Sequence, residues 1–157
     1  MASNEDIKRF LHYISQLESS GGKHLDHKTV KKGPLKGETA EGPHALMPST
    51  KEELLRRFPS SLQEDSNPQE FDNKLAEYVL NRAKGDETVA AGLWRHGHNR
   101  PEDRFDALRE TDYAQAYDDM RSQVPYALDA NPYQQERASG LEEKSKFPQL
   151  GKIFKKP

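Results

Sequence analysis

The chain has 157 residues, of which 32% are apolar and 32% are charged, so a modest core must support a large solvated surface. Its 24 basic and 26 acidic residues give a net charge of -2, which argues against duplex nucleic acid or an anionic membrane as the partner. The absence of cysteine excludes disulfides, thiolate catalysis and cysteine-bound zinc.

The first predicted helix covers residues 5–19. Apolar residues recur there at steps of three and four, which is typical of an amphipathic helix. Ser3 or Asn4 is a suitable N-cap, and the Gly-Gly pair that follows provides a stop. We therefore expect Glu18 on the last turn of a rigid helix.

Four more helices are expected downstream. Ser49 or Thr50 resembles the start of a capping box, and Asn67-Pro68 is a typical helix opening. The segment 23–49 contains glycines and prolines but has no clear period, which predicts either a long ordered loop or a short β-hairpin. The fold class is therefore predicted to be all-α, with the further helices at 50–58, 68–84, 86–94 and 111–123.

A change in pattern at Pro125 marks the predicted domain boundary. Beyond it the chain lacks helical periodicity, so we expect a domain over 1–124 and an extended C-terminal tail over 125–157. Isolated apolar residues in such a tail are suited to anchoring on a partner protein, and a frayed terminus is the alternative. Both interpretations remain open. The N-terminus lacks a signal-peptide pattern, and no run of about 18 apolar residues predicts a membrane span.

Three segments contain the residues that indicate chemistry. They read Ile-Ser-Gln-Leu-Glu-Ser-Ser-Gly-Gly at 14–22, Glu-Gly-Pro-His-Ala-Leu-Met-Pro-Ser-Thr at 41–50 and Ala-Ala-Gly-Leu-Trp-Arg-His-Gly-His-Asn at 90–99. In that order and spacing they resemble the three signature motifs of the lytic transglycosylases of the lysozyme-like superfamily, over about residues 5–120. A tyrosine farther along completes the site of that family, and Tyr113 is the best match.

The resemblance implies a lysozyme-like domain that cleaves the bond between N-acetylmuramic acid and N-acetylglucosamine in peptidoglycan, without a cofactor. Glu18 would be the general acid and base, and an apolar pocket would keep its carboxyl protonated. In this family the 6-hydroxyl of the sugar attacks in place of water, giving a 1,6-anhydro product. A hydrolytic mechanism would need a second carboxylate, for which Asp26, Glu38 and Glu41 are the candidates.

The expected substrate contacts come from the same motifs, from His27 in the loop that follows Glu18, and from Tyr113. Each residue also has a structural alternative: the serines as caps, the apolar residues as core, and the tryptophan as a buried ring. The histidines are spaced without a His-Glu-x-x-His motif, so no metal site is predicted. The candidates are Ser19, Ser20, His27, His44, Leu46, Met47, Trp94 and Tyr113.

The motifs depart from the family in three places. Ala45 stands where the family has glycine, the glutamine after Leu-Met is absent, and the Ala-Tyr-Asn stretch is poorly matched by residues 93–97. These differences motivate an alternative, a structural phage-particle (tail or internal virion) protein whose lysozyme-like domain has little or no activity. A carbohydrate-binding module without turnover is a third interpretation.

The cellular setting follows by analogy alone. Compact members of this family without signal peptides resemble those carried inside bacteriophage particles, where the particle delivers them to the cell wall. We therefore expect a virion protein that acts at the bacterial cell wall or periplasm. Its partners would be a peptidoglycan glycan strand and, through the tail, other virion proteins.

Overall fold

The computed structural model describes residues 1–126 and 131–133. Within them the chain is mainly helical and contains no continuous β-strand, which confirms the all-α class. Most of the predicted tail lies outside the described residues. The helices are α1 (Asn4–Ser19), α2 (Pro48–Arg57), α3 (Pro68–Arg82), α4 (Glu87–His96), α5 (Phe105–Arg109) and α6 (Asp112–Gln123), with a 3₁₀ turn over Glu102–Arg104 before α5.

Side-chain caps begin four of these helices, mostly where the sequence predicts them. The Ser3 hydroxyl accepts from the Asp6 amide at 3.1 Å and the Asp6 carboxylate accepts from the Ser3 amide at 3.2 Å, so α1 starts with a complete capping box. Asn67, Asp86 and Thr111 cap α3, α4 and α6 with side chains that accept from first-turn amides, without the reciprocal bond of a capping box. Local sequence therefore determines these helix starts.

The start of α2 corrects a prediction. The helix begins at Pro48, and its N-cap Met47 makes no side-chain capping hydrogen bond, so a cap from Ser49 or Thr50 is wrong. The fixed φ of proline favours the first helical position, which places both hydroxyl residues inside the first turn. The 3₁₀ turn and α5 were not predicted, because elements this short show no periodicity.

The core forms where α4 meets its neighbours. This helix packs against α3, α5 and α6, while α1 packs against α3 and α6. A Cβ at Gly92 would lie 2.9 Å from the Leu108 carbonyl oxygen, so only glycine permits this approach of α4 and α5. The largest buried apolar side chains are Phe10, Ile14, Leu54, Phe71, Val79, Leu80, Val89, Leu93 and Tyr117.

The connection between α1 and α2 is a long loop that contains two isolated antiparallel bridges. Thr29 pairs with Thr39, and their hydroxyls lie 2.7 Å apart. Glu41 pairs with Leu46 in a tighter turn. The structure thus combines the two predicted possibilities, since a short hairpin projects from an ordered loop.

A buried polar cluster fastens this loop to the helices. The His44 side chain is 1% exposed; its Nδ1 lies 2.8 Å from the Asp72 carboxylate and its Nε2 donates to the Leu11 carbonyl at 3.0 Å. The Tyr133 hydroxyl donates to the same carboxylate. Residues 131–133 therefore pack against the domain, beyond the predicted boundary at 124. No helix of the described part of the chain is long and apolar enough to cross a membrane.

Candidate active site

Glu18 lies on the last turn of α1, as its sequence position predicts. The helix ends because Ser20 adopts a left-handed backbone with φ 53°. The Ser19 hydroxyl donates to the Pro43 carbonyl at 2.6 Å and accepts from the Gly22 amide at 2.9 Å. The helix end and the following loop are thus held together, and the Glu18 side chain, 12% exposed, occupies a defined position between them.

A cleft of about 520 Å³ opens beside this carboxyl group. Its volume falls in the ordinary range for small-molecule sites. Four predicted site residues line it together: Glu18, Met47 and Trp94 from the three motifs, and His27 from the loop that follows the first motif. The remaining lining residues are Lys28, Val30, Leu35, Ala40, Ala45 and Arg95.

Arg95 is the lining residue that sequence reasoning missed. Its guanidinium Nη1 lies 4.0 Å from Glu18 Oε2, and its side chain is 57% exposed. The same guanidinium lies 5.8 Å from the centre of the Tyr113 ring. Its position directly after Trp94 in the third motif was the available signal, because neighbours at a helix end can border the same opening.

Tyr113 on α6 lies close to Glu18. Its hydroxyl is buried and makes no hydrogen bond of normal geometry within the described residues. Burial raises the pKa of Tyr113, and the negative charge and hydrogen-bonding influence of the Glu18 carboxylate raise it further. The hydroxyl therefore stays protonated and is available as a hydrogen-bond donor beside Glu18.

Two ring side chains of the lining, Trp94 and His27, are fixed by hydrogen bonds to loop carbonyl groups. The Trp94 indole nitrogen donates to the His44 carbonyl at 3.3 Å, and its ring meets Phe10 edge-on at 5.8 Å. The His27 Nε2 donates to the Gly42 carbonyl at 2.8 Å. Trp94 remains partly exposed, and the second ring nitrogen of His27 is not used in this bond.

Five of the eight predicted substrate contacts do not line the cleft: three are buried, Ser20 lies at the end of α1, and Tyr113 borders a neighbouring groove. Ser19, His44 and Leu46 are buried, and each is used internally. Ser19 joins the helix end to the loop, His44 belongs to the buried polar cluster, and Leu46 is part of the core. Ser20 is half-buried at the helix end and does not line the cleft. Their effect on a ligand would be indirect, through the position of Glu18 and Trp94.

None of the three candidates for a second carboxylate lines this cleft. Glu38 accepts from the Ser49 amide at 3.0 Å, Glu41 lies 3.5 Å from Lys51, and Asp26 is exposed. An adjoining groove shares Arg95 with the cleft and contains Tyr113 together with two other acidic residues, Glu110 and Asp112. Among the residues that line the cleft itself, Glu18 is the only carboxylic acid.

The described residues contain no group of three or more histidine, aspartate or glutamate side chains placed to hold a metal ion. Comparison with known proteins identified no matching family model, no significantly similar curated protein and no significantly similar solved structure.

Proposed function

We propose that this protein cleaves the glycosidic bond between N-acetylmuramic acid and N-acetylglucosamine in peptidoglycan, as a lytic transglycosylase with a lysozyme-like domain. Glu18 is the general acid and base. One observation carries the proposal: a nearly buried glutamate at a helix end is the sole carboxylic acid of a cleft that it shares with Met47, Trp94 and His27. Glu18, Met47 and Trp94 each come from a different motif, and His27 comes from the loop after the first motif.

The composition of the cleft favours transglycosylation over hydrolysis. Retaining and inverting hydrolases both place a second carboxylate across the scissile bond, either as nucleophile or to activate water. The cleft offers no such group next to Glu18. A mechanism in which the sugar supplies its own nucleophile needs only the one carboxyl group that is present.

The proposed reaction has two proton transfers. Protonated Glu18 donates its proton to the glycosidic oxygen as the C1–O bond breaks, and the resulting carboxylate then accepts the proton of the 6-hydroxyl as that oxygen bonds to C1. Glu18 returns to its starting state, and no water is consumed. Arg95 and the Tyr113 hydroxyl lie beside the carboxylate and would stabilise it between the two transfers.

The backbone at Ala45 adds independent support. The resembled family has glycine here, and Ala45 adopts φ 56°, in the left-handed region that favours glycine. Ala45 therefore has a backbone conformation that suits the glycine of the family motif. The difference in sequence therefore does not imply a different turn at this point.

The test is the analysis of fragments released from purified peptidoglycan by the protein and by Glu18→Gln. The substitution keeps the shape of the side chain and removes its ability to transfer protons, so we expect anhydromuramoyl fragments from the unchanged protein only. Glu52→Gln is the matched control, because Glu52 is an exposed glutamate on α2 that does not line the cleft. Full activity in Glu18→Gln would contradict the mechanism.

Two other outcomes would favour a different mechanism or a different function. Fragments with ordinary reducing ends would indicate hydrolysis and direct attention to Glu110 and Asp112 in the adjoining groove. No fragments from either protein would favour the structural particle component. The proposed virion setting is tested separately, by identifying the protein in purified phage particles by mass spectrometry.

A further inference from the structure

A lysine-rich hairpin stands at the edge of the cleft. We call residues 29–39 the basic hairpin. Backbone hydrogen bonds from the Val30 amide to the Glu38 carbonyl (2.8 Å) and from the Gly37 amide to the Val30 carbonyl (2.9 Å) close it. The tip carries Lys31, Lys32 and Lys36, and all three are exposed.

The positive charge of this region is not balanced locally. Segment 28–39 contains four lysines and one glutamate, whereas the whole chain has a net charge of -2. The three tip lysines form no salt bridge within the described residues, and neither does Lys28 at the base of the hairpin. An unpaired cluster of one sign attracts ligands of the opposite sign.

The basic hairpin is continuous with the cleft. Lys28, Val30 and Leu35 line the same opening as Glu18. A strand that places a glycosidic bond at Glu18 would therefore extend along the hairpin. Arg95 adds a further exposed cation to the rim.

We propose that the basic hairpin binds the carboxylate groups of the peptides attached to the glycan strand. This inference rests on the proposed function and specifies its substrate as the peptide-bearing strand. Amino-sugar rings with acetylated nitrogens carry no charge, so a cluster of lysines gains little from them. The free carboxylates of the attached peptides are the anionic groups that recur along such a strand.

Two other anionic partners fit the hairpin less well. Single-stranded nucleic acid is usually bound by stacking on aromatic rings, and residues 29–39 contain none. Membrane binding requires a substantial apolar face next to the basic residues. Leu35, at 38% exposure, is the single large exposed apolar side chain of the hairpin.

The experiment measures sedimentation of the protein with purified peptidoglycan free of phosphate polymers. Glu18→Gln serves as the background, so that cleavage does not change the substrate during the measurement. The test variant replaces Lys31, Lys32 and Lys36 with glutamine. The matched control replaces three exposed cations on other elements with glutamine, namely Lys8, Arg56 and Arg104, and changes the net charge equally.

We expect the hairpin variant to bind about tenfold more weakly than the background protein, since exposed charge pairs are individually weak and act here in a group of three. Raising the salt from about 50 mM to about 500 mM should reduce this difference. The control should bind like the background protein. Peptidoglycan whose carboxylates have been converted to neutral amides by carbodiimide coupling to ethanolamine should bind the background protein and the hairpin variant equally and weakly.

Unchanged binding of the hairpin variant would overturn the inference, and so would equally tight binding of peptidoglycan with amidated carboxylates. Failure of the two proposals can be told apart. Charge-dependent binding without any cleavage by the unsubstituted protein would refute the catalytic proposal alone. Glu18-dependent cleavage of peptidoglycan, together with binding that is insensitive to the three lysines, would refute the hairpin proposal alone.

Discussion

The Tyr113 hydroxyl lies buried beside the Glu18 carboxylate, although the two residues belong to α6 and α1. Burial and the adjacent carboxylate raise the pKa of the tyrosine, and the hydroxyl completes no hydrogen bond of normal geometry within the described residues. A buried donor without a partner is costly for stability. Under the proposed mechanism, this unpaired hydroxyl is the donor that would stabilise the Glu18 carboxylate.

Tyr113→Phe should therefore lower activity without lowering stability. Loss of one buried donor at a developing charge typically reduces turnover about 100-fold, whereas removal of an unpaired hydroxyl should leave the free energy of unfolding unchanged or slightly higher. Initial rates of fragment release and urea unfolding check the two effects. Tyr78→Phe is the control. The Tyr78 hydroxyl donates to Asn99 at 2.7 Å, and Tyr78 does not line the cleft. A full rate in Tyr113→Phe would remove the residue from the mechanism.

Ala45→Gly should stabilise the protein. The left-handed backbone at Ala45, with φ 56°, is strained for a residue with a Cβ, and glycine relieves this strain. We expect a gain of about 0.5–1 kcal/mol in the free energy of unfolding, measured in urea. Ala40→Gly, at a position in the same loop without positive φ, should destabilise instead. Destabilisation by both substitutions would show that Ala45 is not strained.

Asp72→Ala should be strongly destabilising. The change leaves the His44 ring buried without its acidic partner and removes the acceptor of the Tyr133 hydroxyl. Breaking such a buried pair typically costs about 3–5 kcal/mol. Tyr133→Phe removes one hydrogen bond and should cost only about 1 kcal/mol. Urea unfolding of both variants checks this order. A smaller loss of unfolding free energy in Asp72→Ala than in Tyr133→Phe would contradict it.

His12 should make the protein less stable as the pH falls. Burial lowers the pKa of His12, against a smaller opposing contribution from the Pro125 backbone, and its Nε2 lacks a hydrogen-bond partner within the described residues. The unfolded chain therefore binds a proton more readily than the folded one below the ordinary histidine pKa of 6.5. The contribution of His12 to stability is fully present above pH 6.5 and is lost as the pH falls from there through the lowered pKa of the folded protein.

The measurement compares unfolding free energies at about pH 7.5 and about pH 5.5 for the unchanged protein and His12→Phe. Phenylalanine keeps the ring contacts to Tyr13 and Tyr126, which lie 4.9 Å and 5.3 Å away between ring centres. The loss of stability on acidification should be smaller in the variant. An equal loss in both proteins would assign the pH dependence to other groups.

The helices of this protein were largely predictable because their signals are local. A helix start needs a short polar side chain a few residues from free amides, and Ser3, Asn67, Asp86 and Thr111 supply it within one turn. The position of Glu18 at the end of α1 follows in the same way from the glycines after it. The start of α2 was missed because Pro48 outweighs the hydroxyl residues that follow it.

The amino-acid sequence by itself determined the all-α class, the main helices and the place of Glu18 at a helix end, since periodicity, caps and stops act between neighbouring residues. Only the tertiary structure decided which motif residues meet. Burial depends on the packing of distant elements, so Ser19, His44 and Leu46 became internal, while Met47, Trp94 and the unpredicted Arg95 reached the cleft. The approach of Tyr113 to Glu18 likewise required the packing of α6 against α1.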